Sequence, residues 1–269
     1  MNPGYETADG TLTFAIPVQD SRGVADWPAA MKFLKRTVTS CLGQQGGKNP
    51  VVVLGASAGD ELPEMPEEVR IARVDHAWSA LPEGQGETRW RAIRRDKGLR
   101  VAAALQAVQP RGHIMVVDWD DLVSPQLAAL VEEHSQAYGW YAESGYIFDG
   151  SPLVMKLRRG AHGVFGSTII QRWDLARVPS VEGPLDLDWS DRVFGSHIKS
   201  IKIHEDAGTP LAPLPFPVGA YRIGTGLNVS ESKDMVRLAT RQFPRFKMRV
   251  LSCARPRAVI SRFEGSVAS

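Results

Sequence analysis

Three carboxylates stand within four residues at Asp118-Trp119-Asp120-Asp121, directly after the apolar run Ile114-Met115-Val116-Val117. Acids this close repel one another, and the arrangement costs stability unless a cation or hydrogen-bond donors compensate it. A hard divalent cation held by oxygen ligands, with a phosphate on its far side, suits this residue set. The alternative is that the acids cap the next helix and ride in solvent. A second group of acids, Asp186, Asp188 and Asp191, surrounds Trp189. Asp188 and Asp191 are three apart and would share a helix face, where either could take a proton from an attacking hydroxyl. Trp140, Tyr141, Tyr146, Trp173 and Trp189 could give a ligand an apolar face to stack on, though core packing is the ordinary fate of each. The six histidines form no H-x-H or H-E-x-x-H pair, so no zinc site is indicated. His197 and His204 follow the second acid group and stand either near a cation or in structural hydrogen bonds.

The elements that must position these residues alternate between strand and helix. Thr11 to Val18 reads as a strand, followed by a helix capped by Asp26, with Pro28 in its first turn. Met31, Leu34, Val38 and Leu42 form its apolar stripe, and Gly43 ends it. Val51 to Leu54 and Val69 to Val74 are further strands, the first of a type buried on both faces. Asp96 is placed as the cap of a helix running to Val108. His113 to Val117 is the next buried strand. Ser124-Pro125 then opens a helix with Leu127, Leu130, Val131 and Tyr138 on its stripe and Gly139 as its stop. This order predicts a parallel, doubly wound sheet with helices on both faces. Beyond Gly139, Trp140 to Phe148 and Leu153 to Leu157 read as strands suited to antiparallel pairing. Asp191 to Lys199 reads as a short helix, Thr209 to Val218 as an extended loop packed on the body, and Met235 to Phe246 as helix limited by Pro244.

The chain has 269 residues, 43% hydrophobic and 23% charged, with 25 Gly and 18 Pro, which excludes disordered, collagen-like and coiled-coil classes. Two cysteines, Cys41 and Cys253, exclude a disulfide scaffold. No apolar run approaches a membrane span, and Met1 to Gly10 lacks the features of a signal peptide, so the expected location is the cytoplasm. Net charge is +2, but unevenly spread: residues 231–269 carry +6 and residues 1–230 carry −4. The expected organisation is a catalytic domain over 1–230 and a basic helical tail over 231–269. Such a tail suits an anionic partner, including the inner membrane face, or is a solvated face on a packed element. It carries no recognised nucleic-acid module, and no nucleic-acid partner is expected.

The strand ending in D-x-D-D, the Ser124-Pro125 helix start, Gly139-Trp140-Tyr141 and Gly145-Tyr146 together resemble the GT-A glycosyltransferases, family 2 in particular. The resemblance spans roughly Phe14 to Ser230. It includes Phe14-Ala15-Ile16-Pro17-Val18, Arg95-Asp96-Lys97-Gly98, Gly163 to Ile170 and Tyr221 to Ser230. It implies a GT-A fold, Rossmann-like with a smaller antiparallel acceptor-side region. It also implies metal-dependent, inverting transfer of a sugar from a nucleoside-diphosphate sugar, with UDP-sugars favoured. The acceptor would be a glycan or a lipid-linked hydroxyl, as in polysaccharide biosynthesis. Carried over residue by residue, Asp118 matches the acid facing the ribose and the metal, and Asp120 matches the ligand of Mn2+ or Mg2+. Pro17 and Val18 match the loop walling the base, Arg95 and Lys97 a basic cluster near the nucleotide, and Trp119 the residue between the motif's two acids. His197 is a further candidate toward the metal. Trp140, Tyr141 and Tyr146 are the acceptor-side aromatics, and Asp191, then Asp188, the candidate general base. The family's second strand ends in an acid that grips the base or ribose, whereas Val53-Leu54 here is followed by Gly55-Ala56-Ser57. The family's E-D pair is also absent.

Two other classes remain open. A haloacid-dehalogenase-type phosphatase also places D-x-D after an apolar strand, with Asp118 as nucleophile and Asp120 as acid. That motif continues to Thr or Val where this chain has Leu122, and it sits near the N-terminus. A GT-A-like domain that binds a glycan or partner without turnover is the third. Gly224-Thr225-Gly226 and Gly46-Gly47-Lys48 lack the rest of the dinucleotide and P-loop patterns.

Overall fold

The first strand, β1 (Leu12–Pro17), is buried along its whole length, as a strand covered on both faces must be. The computed structural model describes residues 8–75, 81–82, 86–176, 192–225 and 251–264. Helix α1 (Trp27–Leu42) follows β1 as the sequence predicts. The Asp26 carboxylate accepts from the Ala29 N–H at 2.9 Å, Pro28 fills the first turn, and Gly43 closes the helix on Thr39. Strands β2 (Val51–Ser57), β3 (Val69–Val74) and β4 (His113–Val116) join β1 in parallel in the order β3-β2-β1-β4. Antiparallel β9 (Ile169–Arg172) lies beside β4, and β6 (Gly139–Tyr141) and β10 (Ala212–Pro213) complete a seven-stranded, mostly parallel sheet.

Strand alternation divides the core between the two faces. Phe14, Ile16, Val52, Leu54 and Met115 pack with Leu34, Val38 and Cys41 of α1 and with Leu127 and Val131 of α3 (Leu127–Glu133). Ala15, Val53 and Ile114 point the other way, against Val101, Ala104 and Leu105 of α2 (Glu87–Val108). A second sheet holds β12 (Leu251–Pro256), β8 (Leu153–Leu157), β7 (Gly145–Phe148), β11 (Gly219–Arg222) and β5 (Leu122–Val123), in that order. No described helix is long and apolar enough to cross a membrane.

Several boundaries differ from the sequence expectation. Strand β2 continues to Ser57 because β1 and β3 go on pairing with it, through Pro17 to Gly55 and Ser57 to Val74. Helix α2 begins at Glu87, well before Asp96. Its first turns are so rich in arginine that no apolar stripe marks them, and Asp96 binds Arg100 one turn on instead of capping. Helix α3 starts after Gln126, with Ser124 hydrogen-bonded to the Gln126 N–H at 3.4 Å, and ends at Glu133, leaving Tyr138 outside it. Gly139 opens β6 at φ 144°, where an added Cβ would stand 2.1 Å from the Ile170 carbonyl oxygen. The predicted strand Trp140 to Phe148 is two strands in two sheets, β6 and β7, of which β7 pairs antiparallel with β8. The loop over Thr209 to Val218 contains only the two residues of β10 as strand. The predicted helix Met235 to Phe246 lies outside the described residues. Over 251–264 the C-terminal stretch is not helical in the expected way: it is edge strand β12, then a 3-10 segment whose Ile260 and Phe263 are buried against Tyr146.

Helix α2 approaches β2 so closely that a Cβ on Gly55 would stand 2.2 Å from the Arg100 carbonyl oxygen. Gly55→Ala should therefore lower stability by about 1–3 kcal/mol through overpacking. Urea unfolding should show a lower midpoint at unchanged slope.

Candidate functional site

The parallel strands reverse direction of addition at β1: β2 and β3 extend to one side and β4 to the other. The crevice at the C-terminal ends of β1 and β4 is thus a topological switch point, the place where open α/β sheets bind ligands. Asp118 to Asp121 leave β4 there. The Val117 N–H still pairs with the Ala15 carbonyl at 3.0 Å, and the chain then turns, with the Asp121 N–H donating to the Asp118 carbonyl at 3.0 Å.

Distant residues hold this turn. The Ser167 hydroxyl accepts from the Asp118 N–H at 2.8 Å and donates to Asp121 Oδ2 at 2.6 Å. Asp121 Oδ1 faces the Arg222 N–H at 3.3 Å, and the Thr37 hydroxyl reaches the Asp121 and Trp119 carbonyls at 2.7 and 3.0 Å. Asp121 is therefore a structural acid. Burial, then the charges of Asp120 and Asp118, push its carboxyl well above the usual range, against the Ser167 hydrogen bond.

The other two acids differ. Asp118 Oδ1 is bound by Lys97 Nζ from α2. Gly166 lies against this pair: an added Cβ would be 2.3 Å from Asp118 Oδ2 and 3.0 Å from Lys97 Nζ. Asp120 is 6% exposed, and its Oδ2 has no hydrogen-bond partner. Burial, then the Asp118 charge, push its carboxyl up to about 7, while Arg222 and Lys97 pull it down. The Arg222 guanidinium is set by aromatic faces, 4.2 Å from the Phe33 ring centroid and 5.3 Å from that of Phe148.

His197, the first residue of α4 (His197–Asp206), feels the charges of Lys97 and Asp118. Burial, then Lys97, lower its imidazole to about 4, so it is neutral at physiological pH, and its Nε2 is buried without a partner. His204 is structural: its ring nitrogens meet Gln171 Oε1 at 2.7 Å and Thr209 Oγ1 at 3.0 Å. Among the described residues, no three His, Cys, Asp or Glu side chains converge to hold an ion by themselves. The unpartnered Asp120 oxygen fits one hard cation ligand, with Asp118 beside it; the remaining ligands would come from phosphate or water.

At the ends of β1 and β2 the structure supplies acids that the sequence pattern did not reveal. Asp20 accepts from Arg22 Nε and Nη2, both at 2.8 Å, and from the Ser57 hydroxyl at 2.7 Å. The Arg22 hydrogen bonds hold it well below the usual carboxylate range. Ser57 in turn accepts from buried Arg100 at 3.0 Å. Because β2 is longer than expected, the acid after it is Asp60, three residues past Ser57. Asp60 is 5% exposed, with Oδ1 on the Ser21 N–H at 3.1 Å and Oδ2 unpartnered.

Of the predicted site residues, Lys97, Asp118, Asp120 and His197 are brought together, and Arg95 is half-buried on α2 one turn-fraction away from Lys97. Pro17 ends β1 and Val18 follows it, but both are buried, Val18 in the main core, so neither side chain is presented to a ligand. Trp119 packs against that same core. Trp140 is 5% exposed and lies on His113 at 5.2 Å between centroids; Tyr146 is 8% exposed against Phe263. Neither presents a face to an acceptor, because β6 and β7 turn them inward. Trp173 is likewise core. Tyr141 is partly exposed and meets His162 edge-on at 5.2 Å. Asp186, Asp188, Trp189 and Asp191 lie outside the described residues. Ser167, Gly166, Arg222, Asp20 and Asp60 were missed. Only the position of Asp20 and Asp60 just beyond strand ends could have marked them.

No protein-family model matches the chain, and no curated protein matches it. Among solved structures it is similar to a protein of Desulfovibrio desulfuricans G20 described as a "putative nucleotide-diphospho-sugar transferase". That likeness has 12% identity and a TM-score of 0.34, over 88% of this chain and 90% of the other.

The Asp120 carboxyl is raised in the folded protein from 3.8 to about 7. Its contribution to stability is complete below pH 3.8 and lost as pH rises through 7. Asp120→Asn removes this loss. The variant should be more stable than the wild type by about 2–4 kcal/mol at pH 8, and the gain should vanish near pH 4. Thermal unfolding of both proteins across that range checks it.

Proposed function

We propose that this chain is a GT-A-type glycosyltransferase that moves a sugar from a nucleoside-diphosphate sugar, UDP-linked by preference, to a hydroxyl acceptor. The observation that supports it most is the buried Asp120 carboxyl, whose Oδ2 has no partner, beside Asp118 at the switch point between β1 and β4.

In this proposal Asp120 and Asp118 hold Mn2+ or Mg2+ against the donor's diphosphate. When bound, the cation supplies Lewis-acid stabilisation of the charge on the departing diphosphate. The chain's own groups do the rest. Asp121, fixed by Ser167 and the Arg222 backbone, sets the angle at which Asp120 enters the crevice. Lys97 offers positive charge for phosphate oxygens, and neutral His197 is available on the same side. The β1 and β2 termini, with Asp20, Ser57 and Asp60, line the nucleoside side of the crevice. Tyr141 is the remaining acceptor-side aromatic. Asp191, with Asp188 as runner-up, takes the proton from the acceptor hydroxyl as the C–O bond forms. Retention of the tail near anionic lipid at the cytoplasmic membrane face, with a glycan or lipid-linked acceptor, belongs to the same proposal.

Calorimetric titration tests the donor site: UDP or GDP should bind with Mn2+ present and weaken on chelation. Asp120→Ala should abolish the metal-dependent part while remaining folded. Equal nucleotide binding by variant and wild type contradicts the assignment, and release of phosphate from phosphomonoesters without nucleotide affinity favours a phosphatase. Asp191→Asn should keep donor binding while transfer falls by about two to four orders of magnitude. Near-normal transfer moves the base elsewhere.

A further inference from the structure

Asp118 already has a cation on it. Lys97 Nζ binds Oδ1, and the side chains are 20% and 28% exposed, so the pair is within reach of solvent and not deep in the core. Gly166 lies against the pair: a Cβ there would stand 2.3 Å from Oδ2 and 3.0 Å from Lys97 Nζ. Lys97 therefore holds one of the two oxygens that Asp118 could offer a cation. The Lys97 charge also acts on Asp120 and on His197. One ammonium thus acts on both Asp118 and Asp120 in the free protein. A divalent cation and this ammonium repel each other and compete for the same oxygen. A diphosphate offers the ammonium new acceptors within reach of a flexible four-carbon stem.

We propose that Lys97 is an exchangeable counter-ion. In the free protein it neutralises Asp118; when a cation and a nucleoside diphosphate enter, it releases Oδ1 and turns to the phosphate oxygens. No bond is made or broken apart from hydrogen bonds and ion pairs. Lys97 so keeps the empty site from taking up a divalent cation tightly on its own and couples cation binding to the arrival of the nucleotide. This inference rests on the nucleotide-sugar proposal.

The two halves of the role have opposite signs, which a merely structural lysine would not show. Mn2+ affinity in the absence of nucleotide is measured by the paramagnetic resonance of free Mn2+. UDP affinity is measured by calorimetry at saturating Mg2+. Lys97→Met and Lys97→Gln, both checked for folding by circular dichroism, should bind Mn2+ about tenfold tighter than the wild type and UDP about tenfold more weakly. Lys97→Arg, which keeps the charge, should stay near the wild type for Mn2+. Neutral variants that bind Mn2+ no tighter, or UDP no more weakly, overturn the exchange. If that happens while the wild type binds UDP, only the role of Lys97 falls. A wild type that binds no nucleotide under any metal condition removes the donor-site proposal and this inference with it.

Discussion

Three carboxylates at the end of one buried strand cannot all be ionised and dry without compensation, and much of the surrounding structure is arranged around that constraint. Asp121 is satisfied by hydrogen bonds from Ser167 and the Arg222 backbone, Asp118 by Lys97, and Asp120 by its own backbone N–H and the more distant charges of Arg222 and Lys97. Hydrogen bonds to a charged group stabilise it more than unfocused charge does, and of the three acids Asp120 is the one left with a buried oxygen that has no partner. Its unpartnered oxygen is where an incoming cation would gain most.

The fold creates this situation through its topology. Parallel strands bring the β1 and β4 termini side by side, while β9, running antiparallel beside β4, leads the chain back from the loop that carries Gly166 and Ser167. The second sheet contributes Arg222 through β11, and α1 contributes Thr37 and Phe33. Four separate stretches of chain therefore meet on four consecutive residues. Gly166 permits that convergence, since any side chain there would collide with Asp118.

What could be read from the sequence follows from whether the signal is local. The limits of α1 were legible because Asp26, Pro28 and Gly43 act within one turn of the ends they set. The alternation of strands and helices, and the acids after β4, were legible from apolar runs and their spacing. The start of α2 was not, because an arginine-rich solvated helix has no apolar period, and the end of β2 was not, because pairing with β1 and β3 extends it. Trp140 and Tyr146 look alike in sequence whether they face a ligand or the core, and only sheet membership decides. Ser167 and Arg222 reach the acids from 46 and 101 residues away, a distance over which no spacing rule operates.

The central claim is that Asp120 is held in its unsatisfied state to receive a cation together with a diphosphate. Anomalous scattering from crystals grown with Mn2+ and UDP measures this most directly. The account predicts a Mn2+ peak about 2.0–2.2 Å from an Asp120 oxygen, with the diphosphate on its other side at the ends of β1 and β4. A nucleotide bound elsewhere, or bound in that crevice with Asp120 still lacking a partner, would contradict it.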